Sequence, residues 1–152
     1  MTMERIGDLA KFPPREMAIR SCRDGVQAFA PCKIPDIPGS VSHVTPKDVA
    51  DWRRQGWPND CADLVQQWHE AVIARSGAVA DNISRLRGAM WCLTALRRVL
   101  AHDPSDSEAE QHADTLTRYL EAVWGVTAIP ETASEQHAMA EKIVRTRAGM
   151  RF

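Results

Sequence analysis

The sequence predicts an all-α protein: a compact bundle of about five helices around a central helix near residues 79–101. Three observations predict it. In that central stretch Val79, Ile83, Leu86, Met90, Leu93 and Leu100 step by three or four residues, with a gap at Arg97. At about 100° per residue they share one helix face. Toward its C-terminal half Trp91, Cys92, Ala95, Leu96 and Val99 make other sides apolar as well, the pattern of a helix covered by neighbours. The alternating apolar and polar pattern of strands is absent, and so is any internal repeat.

Taken in order, residues 1–12 carry no convincing pattern. Pro13-Pro14 then opens a helix over 14–29, because proline is tolerated in a first turn. Ala18, Cys22, Val26 and Phe29 fall on one face of it, and Gly25 weakens it. Residues 30–44 hold Pro31, Pro35, Pro38 and Gly39, a density that forbids helix and predicts an irregular covering segment. The spacing of Pro35 and Pro38 matches P-x-x-P, which arises easily by chance.

Thr45-Pro46-Lys47-Asp48 reads as a helix start, with a hydroxyl cap and proline at the first position. That helix runs to about Gln55 and stops at Gly56. Asn59 or Asp60 caps the next, in which Cys61, Leu64, Val65, Trp68 and Val72 share a face; Arg75 ends it and Gly77 suits its C-terminal cap. The pair invites comparison with a helix-turn-helix, but Asp60, Asp63 and Glu70 are poor chemistry for approaching phosphates. After the central helix, residues 102–107 break the pattern and a helix follows over 108–124, with Ala109, Ala113, Leu116, Leu120 and Val123 inward and Gly125 closing it. Thr132 with Glu135 forms a capping box. It opens a last helix through about Arg147 with Gln136, Ala140, Ile143 and Val144 on its inner face. Residues 148–152 are a basic tail.

With 152 residues the chain fits one domain over 1–152, able to bury roughly 68–70% of its unfolded surface without disulfide or metal. A formal net charge of −1 argues against a nucleic-acid or membrane binder driven by overall charge. Cys22, Cys32, Cys61 and Cys92 form no C-x-x-C pair and suit reduced thiols in the cytoplasm. The chain has no run of about 18 apolar residues to span a membrane and no signal-peptide core.

Candidate chemistry is sparse. Glu108/His112 and His137/Glu141 are i, i+4 pairs that helix-surface hydrogen bonding explains without a metal. No nucleophile elbow, phosphate loop or dinucleotide fingerprint is present, so no catalytic residue, cofactor or metal ligand is assigned and no enzymatic role is expected. Arg97, placed among Met90, Leu93 and Leu100, is expected to bury its stem on the core face and snorkel its head to water.

Residues 103–141 carry nine acidic residues against Arg118 alone. On the helix over 108–124, Glu110, Asp114 and Glu121 lie opposite the Leu116 stripe, a candidate surface for a basic, nucleic-acid-handling protein. Trp52 and Trp57, beside a short helix, are the aromatic candidates for a protein partner. Arg53, Arg54, Arg85, Arg87 and Arg98, together with Lys142, Arg145 and Arg147, could pool for nucleic acid. The reading this supports is a non-enzymatic protein–protein interaction module, an accessory, regulatory or inhibitory protein of a bacterium or its phage. A small nucleic-acid-binding protein and a metal-dependent or hydrolytic enzyme are the alternatives.

Overall fold

The structure, a computed structural model, describes residues 12–36, 46–56 and 59–149. At 46, 48, 49, 52, 53 and 59–65 the description is of the backbone alone. Among the described residues the chain is all-α, without strands: α1 (Arg15–Arg23), α2 (Pro46–Gln55), α3 (Asn59–His102), α4 (Ser107–Tyr119) and α5 (Ala133–Arg147). No described helix is long and apolar enough to cross a membrane. Contacts gather the chain into two compact units, one of Met1–Pro31 with Asn82–Phe152 and the other of Cys32–Asp81.

Three boundaries differ from the sequence-based expectation, each for a local reason. The helix expected over 14–29 is α1 alone. Asp24 caps it by donating its N–H to Arg20, and Gly25 at φ 116° reverses the backbone into a separate 3-10 turn, Val26–Phe29. The caps expected at Gly77 are missing, because Gly77 is helical and α3 runs through it for 44 residues. With no proline nearby, an interior glycine costs a helix only about 1 kcal/mol, too little to stop it. The helix expected over 108–124 is α4 continued by a π-turn, Leu120–Trp124. Gly56 (φ 62°) and Gly125 (φ 69°) end their helices as expected, and Thr132 accepts from the Glu135 N–H at 3.2 Å to open α5.

In the first unit the core is the buried face of α3, with Leu86, Met90, Leu93 and Leu96 all at 0% exposure, closed by Ile19, Leu116, Leu120 and Val144. Leu100 is only half-buried, and Arg97 is exposed instead of lying on the core face. The reason is shared: no α3 residue after Leu96 is buried, so the cover thins over the last turns of the helix.

Charge fixes α1 to α4. Arg15 grips the Asp106 carboxylate with two bonds of 2.8 and 3.1 Å, and Arg23 reaches Glu108 at 2.7 Å. Asp106 also caps α4, accepting from the Ala109 N–H. These contacts hold both carboxyl groups below their ordinary range, through Arg15 at Asp106 and Arg23 at Glu108. The buried Trp124 indole donates to the Phe29 carbonyl at 3.1 Å and ties the 3-10 turn to the π-turn.

The second unit holds the N-terminal part of α3 and the extended residues that follow Pro31. Arg75 donates to the Pro35 carbonyl at 3.1 Å and lies 3.6 Å from Asp36. Cys32 adds thiol contacts to the Ala78 carbonyl at 3.8 Å and to Asp81 at 3.4 Å, so the proline-rich segment is tied to α3 at more than one point where it is described. Trp68 and Val72 are half-buried, and Ile73 is 70% exposed.

Candidate functional site

The strongest concentration of unusual chemistry lies on one stripe of α3 in the first unit. Arg87, Trp91, Thr94 and Arg98 are spaced i, i+4, i+7 and i+11, so they line up along the helix. Phe12 packs edge-on against Trp91, with centroids 6.4 Å apart and planes at 84°, the geometry an aromatic quadrupole favours. The Arg87 guanidinium stands 4.5 Å over the Trp91 ring, and that of Arg98 stands 4.5 Å over the Phe12 ring. The result is a ladder of cation, ring, ring and cation.

Two clefts border this stripe, the first at Trp91 and the second at Thr94 and Arg98. The first, about 430 Å³, has mainly apolar walls that include Phe12, Pro14, Met17, Phe29 and Trp91. At Gly88 in its wall, a Cβ would stand 3.4 Å from the Phe29 ring, in contact without a clash. Met17, on its edge, is 56% exposed. The second cleft, about 350 Å³, is lined by Thr94, Arg97, Arg98, Pro130 and Glu131, among others. Its base is fixed by Gln136, fully buried, whose amide donates to Thr94 Oγ1 at 2.7 Å and to the Pro130 carbonyl at 2.8 Å. The Gln136 Oε1 and the Trp91 Nε1 are buried with no hydrogen-bond partner.

Arg87 is held from a second side. It donates to His137 Nδ1 at 3.2 Å, which requires that nitrogen to be bare. His137 Nε2 lies 3.7 Å from Glu141, which Arg145 also reaches at 3.3 Å. The His137/Glu141 spacing is thus used within α5 and toward α3. Among the described residues no group of three or more His, Cys, Asp or Glu side chains converges as metal ligands do.

Cys22 and Cys92 do not carry the marks of a nucleophile. Burial pushes the Cys92 thiol up to about 11, with Cys22 adding to the shift and the Ser21 hydroxyl opposing it. Burial raises Cys22 as well. A reactive cysteine needs the opposite, a thiolate stabilised at neutral pH.

The residues singled out from sequence fall in different places. Glu110, Asp114 and Glu121 are exposed. Asp114 is paired with Arg118 at 3.2 Å. Arg85 donates to the Ala30 carbonyl at 3.1 Å. Arg145 pairs with Glu141, and Arg147 donates to the Val123 carbonyl and stacks on Trp124. Arg54 bonds Asp51 in the second unit, and Lys142 is exposed. Of these, only Arg87 and Arg98 come together on the ladder. The side chains of Trp52 and Arg53, and all of Trp57, lie outside the described residues.

Sequence reasoning missed Phe12 and Met17. Phe12 lies in a stretch without periodicity, and Met17 is off the buried face of α1. The i, i+4 spacing of Arg87 and Trp91 was the legible signal. Comparison with protein-family models, curated proteins and solved structures gives no match.

Proposed function

We propose that this chain is a non-enzymatic protein–protein interaction module, an accessory or inhibitory protein that docks on a macromolecular partner through the Arg87–Trp91–Arg98 face. The observation that carries this reading is the apolar cleft with an exposed methionine on its edge and guanidinium groups stacked on its aromatic walls. Tryptophan, arginine and methionine are the residue types enriched at interface centres, and a thioether adapts its shape to what it meets. The raised thiols of Cys22 and Cys92 weigh against nucleophilic catalysis.

The acidic reading, through Glu110, Asp114 and Glu121, has their exposure in its favour. It has against it the Asp114–Arg118 pair and the spending of Asp106 and Glu108 on α1. A nucleic-acid partner fits less well, because Arg85, Arg145 and Arg147 are engaged with carbonyls, a carboxylate and a ring.

The test is cross-linked capture in the native host, comparing the wild-type chain with the double variant Met17→Asp, Arg98→Glu. Both side chains are exposed, so folding should survive, which far-UV circular dichroism checks. A partner protein recovered with the wild type and lost with the variant is the expected result. Equal recovery of the same proteins overturns this docking face. Nucleic-acid binding tighter than about 1 µM at about 150 mM salt overturns the protein-binding reading, since non-specific phosphate contacts give far weaker affinity.

A further inference from the structure

We infer that the occupant of this face is a short acidic peptide segment of the partner, extended, with large apolar side chains in the first cleft and carboxylates at the arginines. The inference rests on the docking reading above and names its partner chemistry.

Length comes from the helix. The first cleft draws Gly88, Trp91 and Cys92 from α3, and the second draws Thr94, Arg97, Arg98 and Ala101. Trp91 of the first cleft and Arg98 of the second share one side of the helix, seven steps and so about 10 Å apart. An extended chain rising about 3.3 Å per residue covers that in about three residues, within the length of a hexapeptide. A single drug-sized molecule would sit in one cleft; a peptide reaches from the apolar first cleft to Arg98 in the wall of the second.

Charge comes from the rim. Arg97 and Arg98 are exposed and, among the described residues, neither has a carboxylate within ion-pair distance; Arg98 is held by the Phe12 ring. Arg87, on the same stripe, gives one N–H to a histidine nitrogen and not to an acid. Two guanidinium groups, of Arg97 and Arg98, thus line the second cleft with Glu131, the one acidic residue lining either cleft. A guanidinium stacked on a ring keeps its N–H edge outward and already has its rotamer fixed, so it binds a carboxylate at lower entropic cost. The apolar walls and Met17 set the other half of the specificity, which phosphate backbones do not supply.

The experiment uses the full chain and four labelled hexapeptides in fluorescence anisotropy. These are Glu-Glu-Leu-Phe-Glu-Glu, with carboxylates on both sides so that either chain direction fits, and its Gln, Lys and Gly-Ser counterparts. The Gln and Lys peptides replace the acids; the Gly-Ser peptide keeps the acids and replaces Leu-Phe. The acidic apolar peptide should bind at least about tenfold tighter than each of the other three, and weaken as salt rises from about 50 to about 300 mM. Arg98→Gln and Met17→Ser, both surface changes, should each weaken it with the thermal melt unchanged. Equal binding of the lysine peptide, equal binding to both variants, or no binding of the acidic apolar peptide overturns the inference. If the peptides fail while the host partner is still lost with the Met17→Asp, Arg98→Glu variant, the docking face stands and only this partner chemistry falls.

Discussion

Replacing Leu93 by alanine tests whether α3 organises the first unit. Leu93 is 0% exposed, and Leu86, Met90 and Leu96 on the same helix are 0% exposed too. Water therefore has no path to the space a truncation opens. The substitution removes three carbons, about 2.4 kcal/mol at about 0.8 kcal/mol per buried methylene. A cavity term adds to this because close-packed surroundings relax only in part, which places such changes at about 3–4 kcal/mol. Against a total stability of about 5–15 kcal/mol that is a large share. Urea unfolding followed by tryptophan fluorescence reads it directly: at a slope of about 2 kcal/mol per molar, the midpoint should fall by about 1.5–2 M. Ile73 serves as the internal control. It is an apolar residue on the same helix but 70% exposed, so Ile73→Ala should cost less than about 0.5 kcal/mol. A Leu93→Ala cost below about 0.5 kcal/mol, or equal costs for the two, refutes the assignment of this helix face as core.

Three further outcomes follow from the charges. Asp106 and Glu108 are held below their ordinary carboxyl range by Arg15 and Arg23, so their contribution is present above the unfolded-state values near 4 and is lost as pH falls. Arg15→Gln should therefore flatten the acid limb of a stability-against-pH curve; an unchanged limb refutes the role given to this pair. Cys92, pushed up to about 11, contributes fully below the unfolded thiol range and loses that contribution as pH rises toward 11, a drop of about 2–3 kcal/mol that Cys92→Ala should remove. Pulsed alkylation across the same range should show native Cys92 reacting slowly, and rapid reaction at neutral pH contradicts its burial. The double reversal Glu110→Lys, Asp114→Lys, on an exposed face, should change stability by less than about 0.5 kcal/mol and leave partner capture intact; loss of capture moves the docking face to the acidic helix.

What the sequence made legible is local chemistry. The capping box at Thr132, the glycine stops at Gly56 and Gly125, and the burial of Leu86, Met90 and Leu93 follow from spacing and from backbone needs that a few neighbouring residues meet. What it hid depends on partners distant along the chain. Gly77 could be a cap or an interior residue, and only the continuation of α3 decides it. Arg97 sits in register with Met90, yet whether that register is covered depends on where the rest of the unit ends. Phe12 has no periodic neighbours, so nothing local marks it as the ring that meets both Trp91 and Arg98. The candidate site was legible by halves: the Arg87–Trp91 step can be read from α3, but its partners Phe12, Met17 and His137 come from elsewhere in the chain.

The charge asymmetry takes on a different meaning once the fold is known. Nine acids over 103–141 against one arginine look like a surface awaiting a basic partner when the segment is read alone. In the folded first unit four of the nine acids are paired, one of them by Arg118 itself and three by arginines outside the segment. Arg15 and Arg23 on α1 take Asp106 and Glu108, and Arg118 and Arg145 take Asp114 and Glu141 along their own helices. The other five, Asp103, Glu110, Glu121, Glu131 and Glu135, have no ion pair among the described residues. The arginines of α3 are treated otherwise: Arg87 and Arg98 rest on rings, and Arg97 is exposed without a described carboxylate nearby. An unmatched charge on a surface is the one left to act on something else. By that reasoning Arg97 and Arg98 of α3 and the unpaired acids of 103–141 are the two charged surfaces open to a partner, and it is the apolar cleft beside Arg98 that favours the first. The two surfaces make opposite forecasts for salt and charge reversal, and the Arg98 and Glu110 variants separate them.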